Sequence, residues 1–65
     1  MTPTHIKLSR YLQHPTIFYA ELSAGELIRN YVIAAETWAD AQMRALEYWA
    51  EDERKARESG AQPNG

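Results

Sequence analysis

Histidines and serines are among the side chains in this sequence that could act as bases, nucleophiles or metal ligands. His5 and His14 are the only histidines, and neither has a carboxylate or a second histidine three or four residues away. That spacing is the one that places two ligands on the same face of a helix. The sequence contains no cysteine, which excludes disulfides and cysteine-ligated zinc. We therefore predict neither a metal site nor a cofactor.

The three serines, Ser9, Ser23 and Ser59, occur where a strand, a turn and a helix end are expected, so ordinary structural roles account for them. The sequence has no glycine-rich phosphate loop, no serine nucleophile elbow and no paired His-Glu motif. A pocket large enough to enclose a substrate would also occupy most of the core of so short a chain. We predict that the protein is not an enzyme.

Carboxylates are concentrated in the C-terminal third of the sequence. Glu51, Asp52 and Glu53 are consecutive, and Glu47 lies one helical turn before them. The basic residues that follow do not neutralise the whole cluster. Two interpretations are open, a surface that binds a basic partner or a stretch that only keeps the protein dissolved.

Apolar side chains lie beside these carboxylates. Met43 and Tyr48 flank the expected core face of a helix, and exposed aromatic and methionine side chains are enriched in protein interfaces. Tyrosines of the predicted sheet, and an edge strand over residues 6–11, are further candidates for contact with a partner strand or a second copy. The predicted partner-binding residues are four acidic and two apolar side chains: Glu47, Glu51, Asp52, Glu53, Tyr48 and Met43.

Length and charge restrict the class of protein. The chain has 65 residues and a formal net charge of −2, which predict one domain and argue against direct binding of DNA or RNA. The longest uninterrupted apolar run, residues 31–35, is too short to span a membrane, and no basic segment leads into an apolar one at the N-terminus. We therefore expect a cytoplasmic protein, either a monomer or a homodimer.

Three segments have the features of β-strands. Residues 4–11 alternate between apolar and polar side chains, and residues 16–22 are rich in β-branched and aromatic types. A turn is expected between them because Pro15 lacks a backbone donor. Gly25 tolerates the positive φ of a hairpin turn, after which residues 27–35 form the third predicted strand.

The fourth segment is predicted to be a helix. Thr37 and Asp40 have the N-cap and N3 spacing of a capping box, and residues 38–58 contain five alanines without glycine or proline. The sequence thus predicts an α+β fold, a small three-stranded antiparallel sheet packed on one C-terminal α-helix. Residues 1–60 would form the domain and residues 61–65 a disordered tail.

The sequence also permits an alternative fold. This is an all-α chain with one long helix from about residue 24 to 58, which Val32, Ile33 and Thr37 disfavour.

In the α+β fold, one side of the helix is expected to face the core, as a helical wheel shows. It carries six residues: Trp38, Ala41, Ala45, Leu46, Trp49 and Ala56.

The small size, the acidity and the lack of catalytic residues make the chain similar in type to anti-CRISPR proteins. These phage and mobile-element inhibitors of bacterial defence share no common motif, so no signature residue is carried over onto residues 31–33 or onto Glu47, Glu51, Asp52 and Glu53. The resemblance implies a non-enzymatic inhibitor whose carboxylates occupy basic positions of a nucleic-acid-binding effector complex and exclude the DNA. Competition of this kind weakens with salt.

Other functions are compatible with the same sequence. A homodimeric structural or accessory subunit would bury Met43, Tyr48 and an edge strand against its own copy. A small regulator or antitoxin is a further alternative, although the sequence contains no helix-turn-helix pair and no basic recognition segment. The sequence does not identify the partner.

Overall fold

Alternating apolar residues and a capped, alanine-rich segment give the chain three strands followed by one helix. The computed structural model describes residues 2–60. The strands form one antiparallel sheet of order β1-β2-β3. The four elements are β1 (His5–Arg10), β2 (Ile17–Ala24), β3 (Leu27–Ala34) and α1 (Trp38–Gly60).

This architecture confirms the predicted α+β fold and shows that the single long helix is wrong. Val32 and Ile33, whose branched side chains disfavour helix, lie in β3. The chain changes from strand to helix between Ala34 and Trp38, where the capping residues occur. The predicted tail, 61–65, lies outside the described residues.

The turn between β1 and β2 is closed by backbone hydrogen bonds. The Tyr11 amide donates to the Ile17 carbonyl at 2.9 Å, and the Ile17 amide donates to the His14 carbonyl at 2.9 Å. The His14 amide donates to the Tyr11 carbonyl at 3.2 Å. Pro15 has no amide hydrogen to place, so it is accommodated in this turn, as predicted.

The turn between β2 and β3 consists of Gly25 and Glu26. Gly25 has a φ of 62°, a conformation that costs glycine little because it has no Cβ. The sequence indicated a turn at residues 23–25, but β2 extends through Ala24, which pairs with Leu27. The reason is burial, since only 7% of Ala24 is exposed and leaving the sheet would uncover it.

Alternation along β2 divides the sheet into two faces. Phe18, Ala20 and Leu22 are buried, whereas Tyr19 and Glu21 point the opposite way. Residues directly opposite each other on paired strands share a face, so the register extends this division to β1 and β3. One face contacts α1, and within the described part of the chain no element covers the other.

Thr37 begins the helix as its N-cap. Its Oγ1 accepts a hydrogen bond from the Asp40 amide at 3.1 Å, and its carbonyl accepts one from the Ala41 amide at 3.0 Å. The first turn also carries Asp40, whose negative charge is favourable at the positive end of the helix dipole. The predicted helix start is confirmed.

The core is built where α1 lies against β2 and β3. Ala41 and Ala45 are fully buried, and their small side chains let the helix backbone approach the sheet. Trp49, one turn later, is 2% exposed and is among the largest buried side chains, together with Phe18. The stripe of three residues spaced four apart confirms half of the predicted core face.

The other half of that predicted face is not buried. Trp38 and Leu46 are 47% and 37% exposed, and Ala56 is also exposed. Trp38 packs edge-on against Phe18 at 5.0 Å beneath the Arg10 guanidinium, at the rim of the core. A helix of 23 residues is about 34 Å long and strands of 8 residues are about 26 Å, so its last turns, including Ala56, extend past the sheet.

The N-cap can be tested by substitution. Replacing Thr37 with alanine removes the acceptor for the Asp40 amide, which costs about 1 kcal/mol of folding free energy. In a domain of this size, that lowers the melting temperature by about 4–8 °C. Thr37→Ser keeps the hydroxyl and is expected to melt close to the unmodified protein. Equal melting temperatures for Thr37→Ala and Thr37→Ser would contradict the cap.

Candidate protein-binding surface

The structure separates the six residues that the sequence grouped as a partner-binding surface. All six lie on α1, but they point in different directions around it. Asp52 and Glu53 are half-buried and contact the sheet. The other four are exposed: Met43, Glu47, Tyr48 and Glu51.

Asp52 is held by a tyrosine of β3. The Tyr31 hydroxyl donates a hydrogen bond to Asp52 Oδ2 at 2.7 Å. Burial, followed by the hydrogen bond and the charge of Asp52, raises the pKa of Tyr31 to about 12. The contact needs a protonated phenol, because the phenol supplies the hydrogen. It therefore occupies Asp52 in the fold and removes it from the freely accessible acidic residues.

Glu53 is held by an arginine of the same strand. Arg29 Nη2 lies 3.3 Å from Glu53 Oε2, and their side chains are only 19% and 16% exposed. The Arg29 guanidinium also lies over the Trp49 ring, 4.6 Å from its centroid, which is a cation–π geometry. Glu53 thus forms part of a contact that joins α1 to β3.

Glu51 is exposed, but basic neighbours on the helix surround it. Its Oε1 lies 3.5 Å from Arg54 Nη2 and 3.8 Å from Lys55 Nζ. Surface pairs of this kind contribute little to stability and exchange readily with other partners. Glu47 forms no ion pair with any residue that the structure describes. The outward acidic surface is therefore smaller than the sequence suggested and centres on Glu47 and Glu51.

Met43 and Tyr48 supply the apolar part of this surface. Met43 is 54% exposed and Tyr48 is 42% exposed, although the Tyr48 ring touches Tyr31 at 5.7 Å between centroids. We name the four exposed residues the outer helix face, and they combine two apolar with two acidic side chains. They are Met43, Glu47, Tyr48 and Glu51.

A second exposed surface is the face of the sheet that α1 does not cover. Val32 and Ile28 of β3 are 64% and 57% exposed, and Tyr19 beside Val32 is 43% exposed. Tyr11 extends this surface, with its ring 5.5 Å from Tyr19 and stacked on His14. The alternation in the sequence predicts that Tyr19 points away from the core. That its face of the sheet is exposed follows from the structure, because the helix of residues 2–60 lies on the other face.

The described residues contain no cluster of three or more histidine, cysteine and acidic side chains able to hold a metal ion. The helix of the described segment is not long and apolar enough to cross a membrane. Comparison with protein-family models, with curated proteins and with solved structures finds no match for this chain. Function is therefore inferred from the exposed surfaces of the protein.

The raised pKa of Tyr31 predicts a loss of stability in alkali. Below about pH 10 the phenol is protonated in both states, and its contribution to stability is fully present. Between pH 10 and about 12 the unfolded chain loses the proton before the folded chain does, so stability falls as the pH rises. Urea unfolding across this range should show the loss in the unmodified protein and a smaller one in Tyr31→Phe. Tyr19→Phe, on the uncovered face, is the matched control and should keep it.

A double-mutant cycle measures the contact between Tyr31 and Asp52. Combining Tyr31→Phe with Asp52→Ala should give a coupling energy of about 1 kcal/mol, the net value of a typical protein hydrogen bond. The cycle cancels the gain in helix propensity that alanine brings. A parallel cycle of Tyr31→Phe with Glu51→Ala should give a coupling near zero. Equal couplings in the two cycles would show that Asp52 has no special contact with the sheet.

Proposed function

We propose that this protein is a non-enzymatic protein-binding module that acts through the outer helix face. The observation that carries the proposal is the exposure of Met43 and Tyr48 next to Glu47 and Glu51. The buried core does not include these four side chains, because Ala41, Ala45 and Trp49 supply the core contacts of the helix. Exposed aromatic and methionine side chains are enriched in protein interfaces, and charged residues are common at interface margins.

The specific form of the proposal is an inhibitor of a basic, nucleic-acid-binding effector complex. In this form the protein is an anti-CRISPR of a phage or mobile element that works in the bacterial cytoplasm. Glu47 and Glu51 would meet lysine or arginine side chains that otherwise bind phosphates, while Met43 and Tyr48 pack on the surface between them. Because Asp52 and Glu53 bind the sheet, they contribute to the electrostatic field around the site more than to direct contacts.

Non-enzymatic action is supported by where the reactive side chains lie. His5 begins β1 and His14 lies in the turn after it, where its ring stacks on Tyr11. Two depressions in the surface of the described residues lie beside Tyr31 and Val32, and both are open to solvent rather than enclosed. Binding of a protein partner needs no reactive group, whereas a reaction would need a base or a metal beside a bound substrate.

A binding experiment can test the inhibitor directly. Purified CRISPR effector complexes of several types are mixed with labelled target DNA, and DNA binding is measured as the protein is added. We expect inhibition of at least one complex, and the inhibition should weaken as salt is raised. Glu47→Lys/Glu51→Lys should remove it because the charges that meet the basic surface are reversed.

The matched control carries the same change in net charge elsewhere. Glu26→Lys/Glu36→Lys reverses one carboxylate in the β2–β3 turn and one before the helix, and it should inhibit as the unmodified protein does. Equal loss in both variants would mean that only net charge matters. Unchanged DNA binding at saturating protein, across all the complexes, would refute the inhibitor.

A second candidate function is a homodimeric structural or accessory subunit. The specific observation in its favour is β3, an edge strand with two of the most exposed apolar side chains of the sheet, Ile28 and Val32. The small regulator or antitoxin is less well supported, since residues 2–60 contain one helix and a helix-turn-helix needs two.

A further inference from the structure

The two edges of the sheet differ in their protection against pairing with another strand. β1 carries basic residues, among them Lys7 and Arg10, and charged side chains on an edge oppose the approach of a second strand. β3 has no charged residue from Asn30 to its end at Ala34. The sequence suggested the first strand as the pairing edge, but the structure makes β3 the less protected one.

The register shows which backbone groups of β3 remain unpaired within the sheet. The Ala35 amide donates to the Thr16 carbonyl at 2.9 Å, and hydrogen-bonded pairs alternate along an antiparallel ladder. Odd-numbered residues of β3 therefore direct their amides toward β2, and even-numbered residues direct theirs away from it. The outward-directed residues are Ile28, Asn30, Val32 and Ala34.

The side chains of these four residues also lie on the uncovered face of the sheet. Val32 and Ile28, the most exposed of the large apolar side chains in the strands, are therefore next to backbone groups that no other strand of residues 2–60 pairs. Strand addition uses two kinds of contact, backbone hydrogen bonds and the packing of side chains beside them. The same edge thus offers both hydrogen bonds and a hydrophobic contribution.

We propose that a second copy of the chain binds here, with β3 pairing antiparallel to β3 of the partner around a two-fold axis at Tyr31. In this register Asn30 lies opposite Val32 of the other copy, and Ile28 lies opposite Ala34. Each of the four outward residues finds a hydrogen-bonded partner, which gives about eight new backbone hydrogen bonds. The result is a continuous six-stranded sheet with both helices on one face.

The position of α1 fits this arrangement. The helix contacts both β2 and β3, so its axis is placed between these two strands, about half a strand spacing from the edge strand β3. With strands about 4.8 Å apart, the two helix axes would be about 10 Å apart, within the usual range of helix packing. Tyr48 lines the groove beside Tyr31 and Val32 at this edge. The Tyr31 and Tyr48 rings of both copies would fill the space around the two-fold axis.

The size and charge of the contact indicate a weak but specific dimer. An edge about 26 Å long and about 20 Å deep, through the sheet and helix layers, covers roughly 500 Å² per copy. The pair would bury roughly 1,000 Å², the lower limit of specific interfaces. Acidic and basic side chains, Glu51 and Lys55, both line the groove, so two copies do not meet with charges of one sign only.

The dimer is inferred from the β3 edge and not from the proposed inhibitor activity. It would cover Tyr48 and Glu51, which line the groove, and leave Met43 and Glu47 of the outer helix face exposed. Sedimentation equilibrium from nanomolar to high micromolar protein measures the self-association. We expect a reversible dimer with a micromolar dissociation constant. Val32→Lys places a charge on the edge and should raise that constant more than about tenfold. A chain that stays monomeric throughout would overturn the proposal.

Two control variants separate this contact from other forms of association. Leu12→Lys introduces the same charge in the β1–β2 turn, where Leu12 is 95% exposed, and should dimerise normally. Tyr19→Lys changes the centre of the uncovered face without touching the edge and should weaken the dimer less than Val32→Lys does. If Tyr19→Lys abolishes the dimer while Val32→Lys leaves it intact, the copies stack face to face and the edge pairing is wrong.

Cross-linking tests the register. The sequence contains no cysteine, so Asn30→Cys/Val32→Cys provides the only thiols, which lie opposite each other across the two-fold axis. Paired residues of this type have Cα atoms about 5.5 Å apart, a distance that a disulfide spans. Mild oxidation should give a covalent dimer in high yield, and Val32→Cys alone should give little. Equal yields from the two would contradict the proposed register.

Discussion

The close approach of one helix to two strands is the contact on which the rest of this structure depends. Ala41 and Ala45 present almost no side chain to the sheet, so the backbone of α1 can lie near β2 and β3 while Trp49 fills the wider gap beyond them. Such an arrangement buries enough apolar surface for a small domain without disulfides. It also fixes how α1 is rotated, and therefore which side chains reach the solvent.

Polar contacts hold the C-terminal half of the helix in that rotation. Asp52 accepts a hydrogen bond from Tyr31, and Glu53 pairs with Arg29, whose guanidinium covers Trp49. Acidic residues that looked like one continuous surface are consequently divided between the sheet and the solvent. The surface that remains for a partner is a mixture of apolar and acidic side chains rather than a purely electrostatic one.

The local features of the fold could be predicted from the sequence because each depends on neighbouring residues. Thr37 begins the helix and Gly25 turns the hairpin for reasons that act within four residues of each. The rotation of α1 could not be predicted in this way, since Trp38 and Leu46 satisfy a helical wheel as well as Trp49 does. Only the position of the helix over β2 and β3 decides that Trp38 and Leu46 stay at the rim. The uncovered face and the unprotected β3 edge are likewise properties of the assembled sheet.

Strand order along the sheet follows the order along the chain, and α1 then packs on the two strands that precede it. Apart from the contact of α1 with β2, every major contact joins elements that follow one another in the chain, with connections of two to six residues between them. Chains with such local topology close only short loops on the way to the native state and reach it rapidly. For a domain of marginal stability, rapid refolding shortens each unfolded interval in which proteases or aggregation could remove the molecule.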